Sequence, residues 1–224
     1  FTLTLGTLYG ADTQATPVTV GSATTPASAV VVTLTDVDLW VGAGGALLNT
    51  GDNDVTDVTT FANDAVEEGD LGFHGTVASM KLVALTDPKT ASLTDDVSYL
   101  GLSVTDLNAS LVGLEAVLEF NAWNVDVLVN KASDSDANPA TTAAKLDWSS
   151  FAVTAGVALP DFTATGTGSL DLDETLDLYA QGSVSFNALS GIAVGTGSFT
   201  LTLGTLYRSE GTRLNSSHIP ISYA

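Results

Sequence analysis

One segment of the chain places acidic and amide side chains at the alternate positions that cation-binding loops use. It reads Gly51-Asp52-Asn53-Asp54-Val55-Thr56-Asp57, so that Asp52, Asp54 and Asp57 are the candidate ligands. Oxygen ligands at this spacing can surround one hard cation, and the cofactor that they favour is calcium. The Gly and Glu that complete an EF-hand loop are absent. A solvated turn is the alternative interpretation, because Asp and Asn tolerate tight backbone geometry.

The other side chains that could do chemistry are isolated in the sequence. A Ser–His–Asp triad could be drawn through His74, but the chain has no Gly-x-Ser-x-Gly elbow to hold a nucleophile. Trp40, Trp123 and Trp148 could form a sugar-binding platform, although Trp in a β-protein more often lies in the core. Carboxylates are abundant, so a glycosidase pair stays open. We predict no catalytic residue and no enzymatic activity.

The charge narrows the range of partners. The 224 residues include 6 Lys and Arg against 26 Asp and Glu, which gives a net charge of −20. Nucleic acid and anionic membranes need Lys and Arg stripes, so neither is an expected partner. With no Cys, the chain has no disulfide, thiolate nucleophile or Cys-ligated metal. Apolar residues make up 45% of the chain, which indicates a folded core.

A repeat is the most specific feature of the sequence. The first nine residues, FTLTLGTLY, recur without change as residues 199–207, at an offset of 198 residues. Nine consecutive identities favour a tandem array over coincidence. We therefore expect the chain to contain one full period and the start of the next.

Composition changes where the second nonapeptide ends. Residues 1–207 contain no Arg, whereas residues 208–224 contain both Arg of the chain and its second His. The run from Thr212 to Ala224 resembles translated sequencing-adaptor read-through. We therefore expect two parts: a β-rich repeat module over residues 1–207 and a disordered, non-native tail over residues 208–224.

Alternating apolar and polar residues predict an all-β fold. From Ser169 to Asn187 the apolar side chains fall on even positions, which predicts a strand with those side chains buried. Further strands are expected at Val30–Val41, Leu71–Leu85, Ser98–Thr105 and Lys145–Leu159. The long strands and polar turns favour an elongated, mostly antiparallel module of sandwich or solenoid type.

Three segments depart from a simple alternating strand pattern. Phe61–Glu68 has a short helical pattern, and Leu107–Phe120 fits either a helix or a strand, with strand favoured by its neighbours. The apolar parity flips between Phe120 and Trp123, which predicts a bulge or a corner near Asn121. Gly42-Ala43-Gly44-Gly45 is interpreted as a turn, because no Lys follows to make a phosphate loop.

The repeat, the strand pattern, the acidity and the lack of Cys together resemble modules of very large tandem-repeat proteins at the surface of environmental bacteria. That resemblance implies a secreted or cell-surface, non-catalytic structural or adhesive module. Its partners would be neighbouring repeats and cell-surface components such as glycans, with no membrane insertion. A glycan-binding module and a piece of a secreted β-rich hydrolase are the alternatives.

Overall fold

The computed structural model describes residues 1–48, 64–89, 95–135, 143–162 and 170–205. Their secondary structure is β-strand, with no helix, which confirms the all-β prediction. The strands are β1 (Thr2–Ala11), β2 (Thr19–Val20), β3 (Ala27–Ala43), β4 (Ala46–Leu48), β5 (Ala65–Glu67), β6 (Leu71–Asp87), β7 (Val97–Val112), β8 (Leu118–Asp134), β9 (Ala152–Gly156), β10 (Leu176–Ala188) and β11 (Ala193–Gly204).

Nine of these strands form one large sheet. Its order is β11-β10-β8-β7-β6-β3-β1-β2, and β9 pairs with β1 outside that path. Every pairing in it is antiparallel, as the long alternating segments predict. β4 and β5 make a separate two-stranded ribbon. Of the predicted turn Gly42–Gly45, Gly42 and Ala43 belong to β3, and only Gly44 and Gly45 connect β3 to β4. Gly44 there has a φ of 82°, which glycine adopts without strain.

The two segments with a helical pattern are both extended. Leu107–Phe120 contains the end of β7, a turn at residues 115–117 and the start of β8, so the strand interpretation is confirmed and the helix is wrong. In Phe61–Glu68 the described part includes strand β5, and residues 61–63 lie outside the described residues. No helix in the described ranges has the length and hydropathy to cross a membrane.

The buried core lies on one face of the sheet. Irregular segments cover it through four buried side chains: Leu146, Trp148, Phe162 and Leu172. The predicted strand Lys145–Leu159 is therefore mostly wrong, since only Ala152–Gly156 is extended. Leu146 and Trp148 are buried in the core from a part of this segment that is not extended. Trp148 and Phe162 contact each other with ring centroids 5.6 Å apart.

Asn130 connects this covering layer to the sheet. It lies on β8 and is fully buried. Its amide donates to the backbone carbonyls of Leu146 and Asp173, both at 2.7 Å, and its oxygen accepts from the Trp148 indole at 3.0 Å. One polar side chain thus satisfies partners on two separate irregular segments, which fixes both against the sheet.

Lysines hold further segments in place. Lys81 donates to the Asp161 carbonyl at 2.7 Å, Lys89 to the Thr19 carbonyl at 2.9 Å and Lys145 to the Leu176 carbonyl at 2.8 Å. Lys145 also lies 2.7 Å from the Asp177 carboxylate. Three of the four lysines of residues 1–207 therefore serve as backbone tethers.

Bulges decide which side chains reach the core. In β8 the register shifts at Asn124, which has a φ of 51°, so the expected bulge exists three residues beyond Asn121. In β10 the register shifts between Leu176 and Leu178, which places Leu176 and Tyr179 together in the core. The prediction of one buried even-numbered face from Ser169 to Asn187 is therefore wrong, as Phe186 is 42% exposed.

Candidate functional site

His74 is the centre of the clearest cluster of titratable side chains. On β6, its Nε2 lies 2.7 Å from Asp38 Oδ1 and its Nδ1 lies 2.7 Å from Glu68 Oε1. Both ring nitrogens thus face a carboxylate, and each carboxylate is used by the imidazole. A hydrolase would instead need its two carboxylates to face an open substrate position.

The three tryptophans are not gathered on one surface. Trp148 is 4% exposed in the core, whereas Trp40 and Trp123 are half-buried on β3 and β8. Trp40 lies beneath the glycine-rich turn, where a Cβ on Gly45 would come 2.0 Å from its ring. A shallow groove of about 240 Å³ includes Trp123 and His74 in its lining.

The predicted calcium ligands Asp52, Asp54 and Asp57 lie outside the described residues, so their arrangement stays a prediction. In the part of the chain that the structure describes, no group of three or more His, Asp or Glu side chains could hold a metal ion.

The repeated nonapeptide occupies both ends of the large sheet. Its first copy makes most of β1, and the second copy contributes Phe199–Gly204 to β11. Among the described strands, β11 pairs with β10 alone, while β1 pairs with β3 along Thr2–Leu8. The identical strands therefore lie toward opposite edges of the sheet, each with a different neighbour. β9 and β2 pair only with the end of β1, at Leu8–Ala11 and at Gly10 and Ala11.

The two copies run in the same direction. Six antiparallel steps separate β1 from β11 through β3, β6, β7, β8 and β10. Each step reverses the strand direction, and an even number of steps restores it. The second nonapeptide is thus a translated image of the first, with no reversal.

The two copies also present the same face. The side chains of two residues paired across neighbouring strands point to the same face of the sheet. A row of such side chains can therefore be followed across the sheet from strand to strand. The row that begins at Leu3 continues through Val32, Leu82, Leu102, Val129, Leu178 and Leu203. Leu3 and Leu203 hold the third and fifth positions of the nonapeptide, so its odd positions face the same way in both copies.

Backbone hydrogen bonds identify which edge each copy uses. The Thr7 carbonyl accepts from the Val157 amide at 3.0 Å, beyond the end of β9. Thr205 is the same position of the repeat, and its amide donates to the Thr175 carbonyl at 2.8 Å, just before β10. The amide and carbonyl of one residue in an antiparallel strand point to one edge. β10 therefore pairs with the edge of β11 that corresponds to the β9 edge of β1, opposite the β3 edge.

Glycine at the sixth position of the nonapeptide lies tightly against a neighbour in both copies. A Cβ on Gly6 would lie 2.5 Å from Val157 Cγ2, and a Cβ on Gly204 would lie 2.4 Å from the Thr175 carbonyl oxygen. Both distances are shorter than real Cβ contacts. The nonapeptide thus has one sequence that fits two different neighbours, and the sequence alone could show the identity but not the edges.

No protein-family model matches the chain, and no curated protein or solved structure matches it.

Proposed function

We propose that this chain is a non-catalytic structural or adhesive repeat module of a large secreted or cell-surface protein. The proposal depends on one observation: the nonapeptide Phe1–Tyr9 and the described part of its second copy, residues 199–205, lie toward opposite edges of one sheet, with the same direction and the same face. A unit whose last strand repeats its first in a translated position can be followed by another unit in the same orientation. That property is what a stalk or surface layer needs.

The charge supports the same function. Residues 1–207 carry 25 Asp and Glu against four Lys. Exposed edge strands tend to pair with strands of other chains, and repulsion between like-charged chains opposes that pairing. An acidic repeat module therefore stays soluble at high local concentration, which suits an extracellular setting where salt screens the repulsion within one array.

The proposal is tested by chains of one, two or four consecutive copies of residues 1–198 that end, once, in residues 199–207. Six strands at a spacing of about 4.8 Å would add roughly 29 Å per copy. We expect the maximum dimension from small-angle X-ray scattering to rise with each copy, by an amount that approaches that increment in the four-copy chain, where the array is longer than its 17-residue strands. A dimension that grows much less, because copies stack side by side, would contradict a stalk-forming module.

A glycan-binding module is the second candidate, and the groove beside His74 favours it. One aromatic side chain, Trp123, lines the groove with the hydroxyl of Ser110 and the amides of Asn108 and Asn121. Apolar ring faces and amide groups are what sugars bind. We expect binding to a glycan array that Trp123→Ala abolishes and that Trp40→Phe, outside the groove lining, leaves unchanged. Equal binding by the chain and by Trp123→Ala would remove this candidate.

A further inference from the structure

We propose that β11 of one unit serves at the same time as β1 of the next, so that successive units share a strand and the array is one continuous sheet. The occupant of the outer edge of β11 is then β3 of the following copy. This inference rests on the proposed repeat function and specifies how the copies join.

The two edges of the shared strand have separate partners. In β11 one edge pairs with β10, from Phe199↔Gly182 to Gly204↔Leu176. In β1 the opposite edge pairs with β3, from Thr2↔Thr33 to Leu8↔Ala27. Because the backbone groups of Thr7 and Thr205 place β9 and β10 on the same side, β3 and β10 do not compete for one edge.

Two strands from different units would lie end to end along the other edge. β10 pairs with repeat positions 1 to 6, whereas β9 pairs with Leu8–Ala11 of β1. Position 7 lies between them, where Thr7 accepts through its carbonyl and Thr205 donates through its amide. Val157 and Thr175 thus both face position 7, so a shared strand requires the end of β9 of its own unit and the start of β10 of the preceding unit to diverge at that residue.

The length of β3 adds an independent argument. β3 extends to Ala43, but β1 covers it only as far as Thr33, and no other described strand pairs with that edge. β11 begins six residues before its nonapeptide, at Ala193. Continued in the β1 register, Ala193–Ser198 would lie opposite β3 residues 35–40. The shared strand would thus form backbone hydrogen bonds with the part of β3 that β1 leaves unpaired.

The apolar row also predicts how the units are offset. It connects Leu3 with Leu203, the third and fifth positions of the repeat. Each unit is therefore displaced by two residues, about 7 Å, along the strand direction relative to its predecessor. The array would be a slanted ribbon of strands.

The experiment uses a chain of two copies, residues 1–198 followed by residues 1–207, which contains a single nonapeptide at the joint. The sequence has no Cys, so introduced pairs report only the designed contacts. Ser183→Cys with Ser198→Cys in the first copy reports β10 on the joint strand, since these hydroxyls are 3.1 Å apart. Thr7→Cys with Ser28→Cys in the second copy reports β3 on the same strand.

A shared strand predicts that both disulfides form in the same molecule, as mass spectrometry of the oxidised, digested protein would show. In the full one-copy chain each pair should close separately, which provides the control. If closing one pair prevents the other in the two-copy chain, the joint strand belongs to one unit only and the proposal is wrong. An array that still lengthens with each copy in that case would leave the proposed function standing.

If the Cys variants do not fold, urea unfolding of the unmodified two-copy chain tests the shared strand instead. A shared strand predicts a single transition with about twice the m-value of the one-copy chain. Thr4→Pro in the second copy removes a backbone donor on the β3 side and should split that transition into two. Two independent transitions in the unmodified two-copy chain would overturn the inference.

Discussion

At the scale of single residues, Asn130 is the polar contact on which the covering layer depends most. Asn130→Ala would leave the carbonyls of Leu146 and Asp173 and the Trp148 indole without their partner. We expect a loss of about 3 kcal/mol in the free energy of unfolding, measured in urea. Asn121→Ala, at an exposed position of the same strand, should change it by less than about 0.5 kcal/mol. Equal losses would show that the Asn130 contacts are unimportant.

Gly101 allows Trp148 to lie directly on β7. A Cβ at Gly101 would come 2.8 Å from the indole ring, whereas a Cβ at Gly197 would meet nothing within 4 Å. Gly101→Ala should therefore lower the free energy of unfolding by about 2 kcal/mol, because the ring must move within a packed core. Gly197→Ala should be neutral or slightly stabilising. Similar destabilisation by both changes would argue against this packing.

Tyr99 makes the free energy of unfolding depend on pH in the alkaline range. Burial, together with the carboxylates of Asp87 and Asp12, raises the pKa of Tyr99 from 10.0 to about 12. The folded chain holds the phenol proton more tightly than the unfolded chain, so this stabilisation is complete below pH 10 and is lost as the pH rises toward 12. Its size is on the order of 2 kcal/mol.

The measurement for Tyr99 is urea unfolding at several pH values between about 9 and 11.5, which span the titration of a free phenol. The wild-type chain should lose more stability over that range than Tyr99→Phe, which cannot titrate there. Parallel stability curves for the two proteins would show that the phenol is not perturbed.

At the scale of elements, β11 has one edge used and one edge open among the described strands. Thr205 donates toward β10, so odd positions of β11 point inward and even positions point outward. Thr202→Pro removes an outward amide and should cost about 1 kcal/mol in unfolding free energy, whereas Leu201→Pro removes a ladder bond and should cost about 3 kcal/mol. Leu201→Ala controls for the lost side chain. The reverse order would place β10 on the other edge.

The strands predicted at Val30–Val41, Leu71–Leu85 and Ser98–Thr105 are confirmed, as parts of β3, β6 and β7. Prediction from the sequence fails at Leu146 and Trp148, because their burial comes from an irregular segment folding onto the sheet. It also misplaces the core face of β10, since the bulge before Leu178 has no signal in residue types. The candidate site is visible as an identity between residues 1–9 and 199–207. Its meaning depends on strand order, which arises from pairing between distant segments.

At the scale of the whole molecule, the net charge of −20 opposes the folded state. Raising NaCl from 0.02 to 1 M shortens the screening distance to about 3 Å. We therefore expect Tm to rise by several degrees over that range, measured by circular dichroism. Tetramethylammonium chloride at equal ionic strength should produce a similar rise, because screening does not depend on the cation. A Tm that is constant in both salts would show that self-repulsion is unimportant.

The even count of strand reversals between β1 and β11 also limits how such a module could change in length. Inserting or deleting one strand would leave the final nonapeptide pointing backwards, and its pairing face would no longer match the first. Adding or losing a complete β-hairpin would keep both ends compatible. Viable variants of the unit should therefore differ in width by about 10 Å at a time, the breadth of two strands.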